Sequence, residues 1–157
     1  KAALDRIAAY VGRVPTFPSY MALFDAVQPI NATFGTLSDE QKHHMVKTAV
    51  HQRADGQWEF KTDPKIGDAF RDGLKQTAMD MWPLWAAVTQ PVLVLRGAES
   101  DLLSAATVEK MLAAHHGAGR IAEALTIADT GHAPMIMDDP TIAAVKRFLH
   151  ASPWEAA

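Results

Sequence analysis

Four consecutive β-favouring apolar residues, Val92-Leu-Val-Leu95, follow Pro91 and give way to a polar loop, Arg96-Gly-Ala-Glu-Ser-Asp101. So short an apolar run, bounded by turn residues, is the signature of a strand covered on both faces in a parallel sheet. A helical pattern follows over about residues 105–115, with Val108, Met111 and Leu112 on one face and a stop near Gly117. A weaker strand pattern, Ala124-Leu-Thr-Ile-Ala128, comes next. Strand, helix and strand in that order make a βαβ unit, whose crossover is expected to be right-handed. A last helix is expected to take Asp139 as its N-cap and Pro140 as its first position, with Ile142, Val145, Phe148 and Leu149 as the buried stripe.

The chain ahead of this unit reads differently. Leu4, Ile7, Ala8 and Val11 lie at helical spacing before Gly12, and Ser19 can cap a second helix carrying Met21, Leu23, Phe24 and Val27 until Pro29 disturbs it. Ser38-Asp-Glu-Gln41 fits a capping box, which predicts a helix through about His51. Asp55-Gly56 is a turn signal, Trp58-Glu-Phe60 an extended piece ended by Asp63-Pro64, and Phe70 to Met81 a further helix. Residues 1–88 are therefore expected to form a mainly helical region and residues 89–157 a C-terminal βαβα unit with two parallel strands, an α/β class overall.

Composition closes several functional classes. Apolar residues make up 48% and charged residues 21% of the 157, a globular balance rather than a disordered one. The net charge of −3 carries no basic stripe of the kind phosphate backbones require, so nucleic acid is not expected as a partner. Pro83, Thr89, Gln90 and Arg96 interrupt the richest apolar stretch short of the ~20 residues of a membrane span, so no membrane partner is expected. The absence of cysteine leans toward a reducing, cytoplasmic location. A first residue of lysine and no signal-peptide pattern suggest an engineered or proteolytic boundary.

Loops that leave the C-terminal ends of parallel strands form the usual functional edge of an open α/β sheet, and Asp101 and His132 both fall there. If the strands are neighbours, a carboxylate can accept a hydrogen bond from imidazole Nδ1–H. That bond selects the tautomer and leaves Nε2 to take up and return a proton. Asp101 could equally cap the following helix, and His132 could be a turn histidine. The pairs His43-His44 and His115-His116 suggest metal ligands, but adjacent helical residues point apart and no third ligand has supporting spacing.

Val92-Leu-Val-Leu-Arg-Gly97, Ser100-Asp101, Gly131-His-Ala-Pro134 and the Asp139-Pro140 helix start together resemble the α/β-hydrolase fold family, in particular members with an inserted helical cap. Asp55-Gly-Gln-Trp58 and Asp63-Pro64 resemble that cap more weakly. The resemblance implies a cap or lid in residues 1–88 and the last two core strands in residues 89–157. It makes Asp101 the acid, with Glu99 as the alternative, and His132 the histidine of a Ser-His-Asp triad. It implies hydrolysis of an ester, a lactone or a C–C bond next to a carbonyl, on a small apolar acyl-type substrate in the full-length enzyme, with no metal or organic cofactor. Trp58, Trp82, Trp85, Tyr10 and Tyr20 would lie in the cap, where core packing is the simpler role.

The departure from the family pattern is the nucleophile. None of Ser19, Ser38, Ser100, Ser104 or Ser152 has glycine two residues before and after it, so G-x-S-x-G is absent, as is a His-Gly oxyanion loop. A chain with only the acid and the histidine is expected to be inactive alone. Two other readings stay open. One is a non-catalytic fragment or dimerising module, because two parallel strands cannot cover a sheet face or satisfy their own edges and should drive homo-oligomer formation. The other is a remnant of an epoxide hydrolase or haloalkane dehalogenase with an aspartate nucleophile.

Overall fold

The structure is a computed structural model and describes residues 2–74 and 79–151. They form two compact units, one within residues 2–32 and 38–79, the other of residues 33–37 and 80–151. Residues 80–88 thus pack with the strands, and so does the short stretch 33–37, which interrupts the helical region in sequence.

The first unit contains α1 (Ala2–Tyr10), α2 (Tyr20–Asn31), α3 (Asp39–Ala49), the hairpin strands β1 (Val50–Gln52) and β2 (Trp58–Phe60), and α4 (Lys65–Leu74). Ser19 Oγ accepts from Ala22 N–H and opens α2. Pro29 does not end that helix, because a proline in the last turn forfeits a single backbone bond. The Ser38–Gln41 capping box forms with both of its bonds, 3.2 Å and 2.8 Å. The helix stops at Ala49, and His51 instead pairs with Glu59 in the antiparallel hairpin. Asp63 Oδ1 accepts from Lys65 N–H at 2.9 Å, so Asp63-Pro64 starts α4 earlier than the expected Phe70. Residues 75–78 of that expected helix, and Ser152, lie outside the described residues. Leu23, Phe24, Val27, Val46 and Val50 form the core, with Phe17, Tyr20, Trp58 and Phe60 against it.

The second unit contains α5 (Trp82–Ala87), β3 (Val92–Gly97), α6 (Ala105–Gly117), β4 (Ala122–Ile127) and α7 (Asp139–Ala151). The strands β3 and β4 pair in parallel from Val92↔Ala122 to Gly97↔Ile127, with α6 as their crossover. The short helix α5 has no counterpart in the sequence reading. In β3 only Val94 and Gly97 are buried, short of the two-sided cover expected, because a two-stranded sheet has few elements to lie over it. The cap of α7 is Asp138 rather than Asp139: its Oδ1 accepts from Thr141 N–H at 2.8 Å. The helix starts one residue earlier than expected, and its buried face is Thr141, Ala144 and Phe148, while Leu149 is 47% exposed. Among the described residues no helix is long and apolar enough to cross a membrane.

Candidate active site

The register of the parallel pair delivers two loops to one edge. Gly97 lies opposite Ile127, so residues 98–104 and 128–138 both leave from the C-terminal ends of neighbouring strands. The backbone ladder runs on into the loops: Ala98 N–H donates to Ile127 O at 2.8 Å, and Glu99 N–H to Thr130 O at 2.9 Å. Arg96 closes the first loop from below, with Nε donating to Leu103 O at 2.8 Å and Nη2 to Ala98 O at 3.0 Å.

Backbone packing holds the second loop. Gly97 lies directly beneath Thr130-Gly131, and a β-carbon there would overlap the carbonyl oxygens of both residues. Thr130 is 2% exposed, with its hydroxyl donating to Ala128 O at 2.8 Å. Gly131 N–H donates to Thr33 O at 2.7 Å, which ties the loop to the stretch 33–37. Gly35 in that stretch has φ +101°, and a β-carbon on it would meet Thr130 Oγ1 at 2.8 Å. His132 follows this clamp and is exposed.

Ser100 and His132 meet across the edge, with Ser100 Oγ 3.0 Å from His132 Nδ1. Asp101 is exposed on the same loop, one residue further on, and Glu99 is exposed with its backbone N–H joining the loops. Ser100 N–H donates to Gly97 O at 3.1 Å, and Ser100 Oγ accepts from Leu103 N–H at 3.0 Å. Its lack of flanking glycines excludes Ser100 as a nucleophile. A serine in a polar loop that can accept a backbone N–H further along is the signal that could have found it as an ordered loop residue.

Asp138 closes the second loop. The hydrogen bond from Thr141 N–H holds its carboxyl below the ordinary aspartate value, against the opposing effect of burial. The remaining residues singled out in the sequence lie elsewhere. His43 stacks on Phe24 at 3.9 Å between centroids and bonds Tyr20 Oη through Nδ1 at 3.0 Å, and burial raises the Tyr20 phenol. His115 is 1% exposed with its ring 4.7 Å from that of Trp85, and His116 Nε2 bonds Ala122 O at 2.9 Å. Trp58 packs on the core of the first unit, Tyr10 is 57% exposed, and Trp82 and Trp85 belong to α5 of the second unit.

Solved proteins share the fold over nearly all of this chain. The chain has the α/β-hydrolase fold, of which it makes up the C-terminal portion. An α/β hydrolase from Novosphingobium aromaticivorans superposes with a TM-score of 0.78 at 35% identity, over 95% of this chain and 52% of its own. A hydrolase from Rickettsia typhi gives the same TM-score at 23% identity, over 95% and 48%. The 3-hydroxybutyrate-oligomer hydrolase of Cupriavidus necator is 32% identical over 154 residues, 94% of this chain and 51% of that protein. The chain thus spans about half the length of the relatives it matches. No family model matches it.

Proposed function

We propose that this chain supplies the acid and the base of a serine-type hydrolase acting on esters. The observation that carries the reading is the shared edge of β3 and β4, which sets the Ser100-Asp101 loop and His132 side by side with an engaged Nδ1. In the mechanism His132 Nε2 takes the proton of a serine hydroxyl as it attacks the substrate carbonyl. It then returns that proton to the leaving alkoxide, while Asp101 stabilises the imidazolium. Because the 157 residues hold no G-x-S-x-G, the nucleophile and oxyanion donors come from additional polypeptide equivalent to the other half of the relatives. Oligomers of a hydroxy acid are joined by ester bonds, so the Cupriavidus necator relative makes short hydroxyacyl esters the first substrates to try. A cytoplasmic setting accords with the cysteine-free sequence.

A chimera in which this chain replaces the matching half of the Novosphingobium aromaticivorans hydrolase tests the reading. Ester hydrolysis should fall on the order of 10³–10⁴-fold in its His132→Ala and Asp101→Asn variants. Hydrolysis that survives His132→Ala, or His132-dependent turnover by the 157-residue chain alone, would overturn it.

A second reading, a self-associating module, is favoured by the two-stranded sheet and by Met81, Leu84 and Ile136, which are 57%, 58% and 48% exposed. Light scattering across a dilution series tests it, and a strictly monomeric chain at every concentration would refute it.

A further inference from the structure

We propose that residues 33–37 brace the His132 loop at the catalytic edge, with Thr33 and Gly35 as positioning residues for the histidine. The inference rests on the reading of His132 as the base and adds to it the element that holds the base in place. The five residues are entered through a 3-10 turn, Ala32–Phe34, and group with the strand unit although the chain on either side of them belongs to the helical unit. They give the loop a support that its two flanking elements, β4 and α7, do not supply.

The approach is close at two points, and each has a glycine. Gly131 N–H donates to Thr33 O at 2.7 Å, one residue before His132. A β-carbon on Gly131 would meet that oxygen at 2.9 Å and Thr33 Cβ at 3.3 Å, so a larger residue would have to push the two segments apart. Gly35 stands in the same relation to Thr130. Its φ is +101°, and a β-carbon on it would lie 2.8 Å from Thr130 Oγ1. That oxygen has little freedom to swing aside, because Thr130 is 2% exposed and its hydroxyl is committed to Ala128 O at 2.8 Å. Leu37 is buried at the end of the brace, and a cavity of about 160 Å³ lies among Phe34, Leu37, Ile127, Met135 and Asp138. The tie is therefore concentrated at Thr33 and Gly35 rather than spread over a packed face. Gly97 and the brace hold the same two residues, Thr130 and Gly131, from two separate elements. A base has to be kept within about 0.5 Å of its productive position, and an error of about 1 Å costs on the order of 10²-fold in rate.

Two readouts test the brace. In the ¹⁵N-labelled 157-residue chain the Gly131 amide should be protected from hydrogen exchange, and Gly35→Ala should remove that protection. In the chimera Gly35→Ala should lower kcat about 10²-fold with KM unchanged, because the base is displaced while the other contacts to substrate remain. Gly119→Ala is the control. Gly119 also has a positive φ, +72°, but nothing lies within 4 Å of where its β-carbon would be. It carries the same kind of backbone strain and should leave both the protection and kcat at their wild-type values. Should the alanine variant unfold, Gly35→Asn replaces it with the same expectations, since asparagine tolerates a positive φ better while still meeting Thr130. An unprotected Gly131 amide in the wild-type chain would overturn the proposal, as would an equal loss of kcat in Gly119→Ala. Unchanged kcat in a folded Gly35 variant whose turnover is still lost on His132→Ala overturns the brace alone. Turnover that survives His132→Ala is a different failure, that of the base assignment, and takes the positioning role with it.

Discussion

At Gly97 the absence of a side chain decides whether the His132 loop can lie against the end of β3. The carbonyl oxygens of Thr130 and Gly131 occupy the space a β-carbon would need, so Gly97→Ala has to push the loop off the strand or distort both. Backbone on backbone has little give, and overpacking of this kind costs about 1–3 kcal/mol. Thermal or urea denaturation should show that loss, and the Ser100–His132 bond should weaken with it. A variant as stable as the wild type would show that the loop is not clamped there. Ser100 shows the reverse relation between sequence and structure. The sequence places it in a polar loop, but only the 3.0 Å approach of His132 Nδ1 gave it a place in the site.

At the scale of elements, helix starts carry most of the local information. Ser19, Ser38 and Ser104 each accept a backbone N–H of the first turn, and Asp63 and Asp138 do the same ahead of α4 and α7. Asp138→Ala removes the cap of the helix that follows the His132 loop and should cost about 1 kcal/mol, read from the melting temperature. Because the folded carboxyl lies below its ordinary value, this contribution is complete above the unfolded aspartate range near pH 4 and is lost as pH falls through the folded value. The difference in stability between wild type and Asp138→Ala should therefore shrink on acidification. A gap that stays constant down to low pH would refute the cap as its source. The one-residue error at this start, Asp139 for Asp138, shows why capping alone underdetermines a boundary. Two adjacent aspartates offer the same acceptor, and the packing of Thr141, Ala144 and Phe148 selects between them.

For the whole molecule the question is what becomes of apolar surface that the described residues leave open. The first unit buries Leu23 completely within its own cluster, and Leu23→Ala should cost about 2–5 kcal/mol in a denaturant titration. Among the described residues the parallel sheet of the second unit consists of β3 and β4, and Met81 and Leu84 are exposed. If that surface drives self-association, Leu84→Lys should move the light-scattering mass toward the monomer at the same concentration without lowering the melting temperature. Loss of stability with no change in mass would instead place Leu84 in internal packing.

The residues by themselves determined the α/β character, the two parallel strands, the buried Leu23, Phe24 and Val27 of the second helix and the capping box, because periodicity, turn chemistry and helix caps are local properties of a few neighbouring side chains; Leu4 and Met21, expected on the same stripes, are exposed. They also brought Asp101 and His132 forward, because polar residues in the loops that follow two strand patterns stand out in one dimension. What only the tertiary structure decided is non-local. The pairing of Gly97 with Ile127 sets which loops meet, and the grouping of residues 33–37 with the strand unit fastens Gly131 to Thr33. The meeting of Ser100 with His132, 32 residues apart in the chain, depends on both, and so it could not be read from either segment alone.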